Sequence, residues 1–264
     1  LGPPPARFVF LVLGSVGRSE QTLVTDQDNA ILYEDGADEP AAKDYFRALG
    51  ERVSKALDSV GYTFCKGDIM ASNPKWCRPL HTWKQYFTDW VNAANPQDLL
   101  DVSIFFDFRC VYGDEELCDQ FRDHVFTALS GNTSFYLHLA QNALKVKPPT
   151  RQFKAAGSFD SKWALLPIID MTRIYSLKNK IRETNTLERL RRLHEKEVFS
   201  ASGYKTMLQA YTYLMHLRFR HQALLLSENA AANNEVDTEA LTDAERLMLR
   251  RIFSQMEDFQ TKLS

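Results

Sequence analysis

At 264 residues the chain has room for one large domain or two ordinary ones. Its 44% hydrophobic and 25% charged residues suit a globular protein, and a net charge of −2 gives no general attraction to nucleic acid or to an anionic membrane. No apolar run approaches the roughly 18 residues of a membrane span, and no signal peptide is visible. Cys65, Cys77, Cys110 and Cys118 lack CxxC spacing, so they read as reduced thiols of a cytoplasmic protein and argue against a zinc site.

The chain opens on Leu1-Gly2-Pro3-Pro4-Pro5, which reads as the end of a linker from preceding domains. Residues 8–13 are short, apolar and β-rich and predict a buried strand. Gly14 and Ser15 break it ahead of a short helix, and residues 28–33, DNAILY, predict a second strand. The stripe of Tyr45, Leu49, Val53, Ala56 and Leu57 predicts a helix over 41–60, closed by Gly61. Residues 62–65 suggest a short strand, 66–79 an irregular segment and 80–91 a tryptophan-rich helix. Residues 102–111, VSIFFDFRCV, predict the third clear strand, and 115–129 a helix. After Gly131 no strand is expected; helices are predicted at 133–146, 162–178, 186–197, 203–228 and 242–262. Asn185 with Glu188 marks one helix start, and 229–237 reads as a polar loop. The expected organisation is an α/β domain over 1–131 and a helical domain over 132–264.

The stretch GSVGRSEQTLVTDQDNA, residues 14–30, carries the chemistry. Asp26 and Asp28 stand two apart at the mouth of a strand, where alternate residues share a face. Two adjacent carboxylates repel, and a divalent cation relieves the repulsion. Mg²⁺ takes one or two carboxylates plus substrate phosphates, so the pair points to a phosphorylated substrate carried by a metal. Gly14 lets backbone approach a ligand, Ser15 adds a hydroxyl, and Arg18 adds a planar fork for phosphate oxygens. Asp107, expected within an apolar strand, has Arg109 two residues on. The two form a structural pair, or Asp107 approaches the metal pair as ligand or base. No GK[ST] follows the glycine, which excludes a P-loop.

These residues resemble the nucleotidyltransferase superfamily, in which GS, a spacer and DxD precede a third carboxylate on a later strand. The closer form, GSxGRxE…TDQDNAI, is similar to the nucleotidyltransferase domain of bacterial signal-transduction proteins that carry CBS and cyclic-nucleotide-binding modules upstream. That domain is similar in turn to PII uridylyltransferase and glutamine synthetase adenylyltransferase. GDIMASNPKWCRPL, SIFFDFRCVYGD, TNTLERLR and LRFRHQ extend the resemblance over nearly the whole chain. It implies an α+β fold, a mixed sheet with flanking helices followed by an all-helical bundle. It implies that Gly14 and Ser15 hold nucleotide phosphates, that Asp26 and Asp28 bind Mg²⁺ or Mn²⁺, and that Asp107 is the third carboxylate. A nucleoside monophosphate would pass from a nucleoside triphosphate to a hydroxyl of a protein or small-molecule acceptor. The relatives' Lys-Gly-Gly-Leu-Arg-Asp-like stretch has its counterpart near Lys162, where Trp163-Ala164-Leu165 replaces the paired glycines.

Further candidates for substrate contact are Lys75, Arg109, Lys162, Arg218 and His221. Arg218 and His221 share a helical stripe with Tyr211, Leu214, Gln222 and Leu225. Such polar residues either look into a cleft or hold helices together. Asp170 and Arg173 read as a structural pair, Arg189, Arg191 and Arg192 as a solvated face, and Trp76, Trp83 and Trp90 as core. Two functions stand from this reading, an enzyme and a catalytically silent nucleotide sensor. A structural dimerisation domain leaves the carboxylates unexplained, although the helical half offers surface enough for a homodimer.

Overall fold

The apolar run FVFLV forms strand β1 (Phe8–Val12), an inner strand of a four-stranded sheet. Valine and phenylalanine suit a pleated, packed surface, and Val9, Phe10 and Leu11 are buried. The computed structural model describes residues 1–36, 39–93, 102–150 and 157–261. After β1 come a single helical turn α1 (Gly14–Gly17), β2 (Asn29–Tyr33), α2 (Glu39–Ser59), β3 (Cys77–Pro79), α3 (Leu80–Val91), β4 (Arg109–Gly113) and α4 (Glu115–Leu129). The strand order is β3-β2-β1-β4. β1 runs antiparallel to β2 and β4, while β3 joins β2 in parallel, so the sheet is mixed as expected. α2 buries Ala42 and Phe46 against the sheet, with the Phe46 ring stacked 4.9 Å from that of Tyr33. α3 and α4 pack through Phe87 and Phe121, rings 5.2 Å apart.

Several expectations change here. Residues 102–111 are not one strand. Ser103–Asp107 is a 3-10 turn, and β4 starts only at Arg109. The cause is three-way burial. Phe105 inserts among Trp76, Trp83 and Trp90, Phe106 meets Phe87 and Phe135, and Asp107 is fully buried. A strand offers only two faces; three residues per turn offer three. Residues 62–65 contribute one isolated bridge, Asp26 with Thr63, rather than a strand. Within the segment expected to be irregular, Cys77–Pro79 pairs as β3. Cys110 on β4 and Cys118 in the first turn of α4 form a disulfide, with Cα atoms 6.5 Å apart. The chain reverses between them at Gly113, whose φ is +111°. The free thiols are therefore Cys65 and Cys77, not all four. The bond also removes the cysteine argument for a reducing compartment.

The chain forms two compact units: Leu1–Gln21 with Thr25–Phe135, and Thr22–Val24 with Tyr136–Ser264. The helices after residue 131 are α5 (Thr133–Ala143), α6 (Ser161–Lys178), α7 (Thr186–Glu195), α8 (Ala201–Ser227) and α9 (Asp243–Gln260). Residue 262, the expected end of the last, lies outside the described residues. Their starts are written locally. Asp160, Asn185, Ser200 and Thr242 each accept a backbone N–H of the first turn, and Glu245 completes a capping box with Thr242. This part is not all helical: β5 (Ser158–Asp160) and β6 (Glu235–Asp237) pair as an antiparallel ribbon. Strands of three residues are too short for alternation to reveal. The second unit's core gathers Leu165, Ile168, Leu190, Leu214 and Phe253. Among the described residues no helix is long and apolar enough to cross a membrane.

Candidate functional site

The segment Thr25-Asp26-Gln27-Asp28-Asn29 enters β2 beside the loop 62–71, and its alternate residues do different work. Gln27 and Asn29 are buried and grip the loop. The Gln27 N–H donates to Thr63 O at 2.9 Å, and its Nε2 donates to Ser54 O and Tyr62 O at 2.9 and 2.8 Å. The Asn29 N–H donates to Ile69 O at 3.1 Å, and its Oδ1 accepts from the Ala71 N–H at 2.8 Å. The loop so held carries Cys65, whose carbonyl accepts from the Asp68 N–H at 3.0 Å. The intervening residues, Asp26 and Asp28, meet Cys65. One carboxylate oxygen of each and the Cys65 sulfur lie within 4.8 Å of one another. Burial, with the neighbouring Asp28 carboxylate adding to it, pushes the Cys65 thiol up to about 11.

The turn after β1 reaches the same place. The Leu13 N–H donates to Asp28 O at 2.8 Å. Gly14 has φ +54°, and a Cβ there would lie 3.3 Å from Asp28 Oδ2 and 2.8 Å from Ile104 Cδ1. Glycine thus supplies both the left-handed conformation and open space next to the carboxylate. Ser15, half-buried, follows on α1.

Arg18 and Asp107 come together as a buried ion pair. Arg18 is 8% exposed, with Nη1 donating to Asp107 Oδ2 and Nε to Glu20 Oε2, both at 2.7 Å. Its fork is therefore engaged by two buried carboxylates. Among the described residues, the third donor that lies within 4.8 Å of the Asp26–Asp28 pair is Cys65. Arg109 does not pair with Asp107 by strand alternation; its Nη2 donates to Val16 O at 3.0 Å, tying β4 to α1.

Of the other candidates, Lys75 belongs to the first unit and Lys162, Arg218 and His221 to the second. Lys75 is exposed, its ammonium 4.6 Å from the Trp76 ring centre. Lys162 is exposed in the first turn of α6. Arg218 Nε donates to Asn234 Oδ1 at 2.9 Å, and His221 Nε2 lies 3.2 Å from Asn233 Oδ1. Asn234 O in turn accepts from the Ser161 N–H and hydroxyl, so the stripe holds the residues before β6 to α8, and the Asn234 carbonyl ties them to the start of α6. Asp170 and Arg173 pair at 2.5 Å. Arg192 is exposed and Arg191 half-buried, and they meet Glu183, Glu188 and Glu195; Arg189, expected on the same solvated face, is instead buried, its Nε donating to Glu183 O at 2.8 Å.

Residues 1–97 match the family described as Putative nucleotidyltransferase DUF294, and residues 133–264 match that described as Putative nucleotidyltransferase substrate binding domain. The chain belongs to this nucleotidyltransferase family. No curated protein matches it. The nucleotidyltransferase match spans Gly14, Ser15, Asp26, Asp28 and Cys65. Gln27, Asn29 and Cys65 are residues of this region to which the sequence alone assigns no role: their partners stand in the loop 62–71, in α2 or, for Cys65, in the DxD segment, and only the fold brings these together.

Proposed function

We propose that the chain is a metal-dependent nucleotidyltransferase, moving a nucleoside monophosphate from ATP or UTP to a hydroxyl of a protein or small-molecule acceptor. We place it in a signalling protein with regulatory domains upstream. The observation that carries this reading is the gathering of Asp26 and Asp28 beside the Gly14 turn, within residues matched to the family. Carboxylates this close repel unless a cation or a proton lies between them. The oxygen-rich donor set and the space beside Asp28 left by the glycine fit a divalent cation carrying phosphate. Asp26 and Asp28 would hold Mg²⁺ or Mn²⁺. When bound, that metal supplies charge neutralisation for the triphosphate, activation of the acceptor oxygen and stabilisation of the leaving pyrophosphate.

The chain's own contribution is placement. Gly14 lets the phosphates approach the backbone, and the Ser15 hydroxyl donates to them. Gln27 and Asn29 fix the spacing of Asp26 and Asp28 by tying their backbone to the loop 62–71. Arg18, Glu20 and Asp107 act as positioning residues, locking α1 to the 3-10 turn through buried ion pairs. We assign Arg218 and His221 to the ribbon rather than to substrate. A nucleotide sensor without turnover is the second reading. One observation favours it: Asp107, the third carboxylate of the family resemblance, is committed to Arg18.

Label transfer separates the two. The full chain is incubated with Mg²⁺ or Mn²⁺, each α-phosphate-labelled nucleoside triphosphate, and a cell lysate as acceptor source. Label on a lysate component that disappears with Asp26→Asn/Asp28→Asn establishes transfer. Nucleotide binding without label under all these conditions overturns the enzyme in favour of the sensor.

A further inference from the structure

We infer that the groove between α8 and α9 is a second ligand site, and that it takes a small organic phosphate, a phosphate monoester on an apolar body. Every residue lining it belongs to the second unit, so the inference stands apart from the Asp26–Asp28 reading. Both helices lie within the residues matched to the substrate-binding description.

Helical periodicity builds the groove. Lys205, Gln209, Thr212 and His216 follow one another at steps of four, three and four, which is one stripe of α8. Met248, Arg251 and Gln255 form the corresponding stripe of α9. Ala210 and Ile252, both buried, also line the groove and give it an apolar floor. Its volume is about 910 Å³, at the upper end of the range for small-molecule sites.

The charge of the lining has one sign. Lys205 and Arg251 are cations, His216 adds a ring that can become one, and the lining holds no carboxylate. On a helix surface a cation is neutralised by acids three or four residues away. None of those neighbours of Lys205, His216 or Arg251 is acidic. Their side chains make no ion pair or hydrogen bond among the described residues. The same two helices pair other cations, Arg220 with Glu245 at 2.5 Å and Arg246 with Asp243 at 2.6 Å. The groove thus keeps unneutralised positive charge in a chain whose net charge is −2.

Ligand chemistry follows from that lining. A phosphate monoester carries close to two negative charges at neutral pH and three acceptor oxygens, which suits several cationic donors better than a single-charged carboxylate does. Arg251 offers a planar fork and Lys205 a compact charge, while the amides of Gln209 and Gln255 add neutral donors. The apolar floor and the half-buried Tyr213 ring receive the body of the ligand.

The test uses 1-naphthyl phosphate, titrated into the full chain in EDTA so that no metal loads Asp26 and Asp28, with the probe's fluorescence recorded. One saturating site is expected, weakening as salt rises because its charges are open to solvent. 1-Naphthol and 1-naphthoate should bind on the order of tenfold more weakly or worse, the loss that goes with charge-assisted hydrogen bonds. Lys205→Gln/Arg251→Gln should weaken 1-naphthyl phosphate by a similar factor and leave thermal unfolding unchanged, since both side chains are exposed. Arg250→Gln, which removes an exposed cation outside the lining, and Asp26→Asn/Asp28→Asn should keep the native affinity. No saturable binding, affinity indifferent to salt, or affinity unchanged in Lys205→Gln/Arg251→Gln overturns the site. Equal affinity for 1-naphthoate overturns the preference for phosphate. A polyglutamate peptide that binds where 1-naphthyl phosphate does not overturns the small-molecule assignment in favour of an acidic protein segment. Binding lost in Asp26→Asn/Asp28→Asn overturns the assignment to the second unit.

Discussion

A Cβ on Gly17 would lie 1.8 Å from the carbonyl oxygen of Asp107 and 2.9 Å from that of Val12. Both obstacles are backbone, so neither can swing aside. Gly17→Ala should therefore destabilise the chain by on the order of 3 kcal/mol, the upper range for overpacking. Urea unfolding checks this, and a wild-type midpoint would show that α1 does not pack as described. Arg18 belongs to the same turn. Arg18→Met leaves Glu20 and Asp107 buried without their shared cation, which should cost about 3–5 kcal/mol. The same unfolding experiment reads it, and a loss below about 1 kcal/mol would mean that the pairs contribute as little as surface ones. At this scale the sequence was legible where chemistry is local. GS and DxD announce themselves by spacing. The partner of Arg18 does not, because Asp107 stands far along the chain and reaches it only through the fold. A planar fork reads equally well as a phosphate grip or as half of a buried ion pair.

Helices were legible because their signals lie inside them: apolar stripes at the helical period and capping residues at their starts. Asn185 accepts from the Leu187 and Glu188 N–H groups, which is the start that Asn-x-x-Glu suggested. Short strands were not legible. β3, β5 and β6 have three residues each, and their pairing partners lie elsewhere in the chain. VSIFFDFRCV misled for a different reason, since its apolar and β-prone residues satisfy a strand template while burial on three sides demands a tighter turn. The α9 cap gives a prediction at this scale. Glu245 accepts from the Thr242 N–H and pairs with Arg220, and these hold its carboxyl below the usual 4.5. A depressed folded-state carboxylate stabilises above the unfolded value and loses that contribution as pH falls through the folded one. Glu245→Ala should thus cost on the order of 1 kcal/mol near neutral pH. The gap to the native chain should close as pH drops below 4.5 and through the lowered folded value. Thermal unfolding across that range tests it; a gap independent of pH would assign the effect to packing rather than to the carboxylate.

The whole molecule comprises two compact units, and Thr22–Val24 contributes to the second although it lies between segments of the first. Within the second unit, the Leu23 N–H donates to Gln222 Oε1 at 3.1 Å. No local pattern in that stretch distinguishes it from a plain loop, so this excursion was not readable from sequence. The overall plan was readable, because an alternation of strands and helices followed by helical stripes is a pattern over many residues. The two family models match residues 1–97 and, with a substrate-binding description, residues 133–264, most of which belong to the second unit. Calorimetric titration tests whether Asp26 and Asp28 bind a metal–nucleotide complex. Mg²⁺·ATP and Mg²⁺·UTP are titrated into the native chain and into Asp26→Asn/Asp28→Asn, with thermal unfolding of both recorded. Replacing two mutually repelling acids should leave the fold intact. The native chain should bind only in the presence of metal, and a normally folded double variant should not bind. Equal affinity in the two proteins, or binding indifferent to metal, would contradict that role for Asp26 and Asp28.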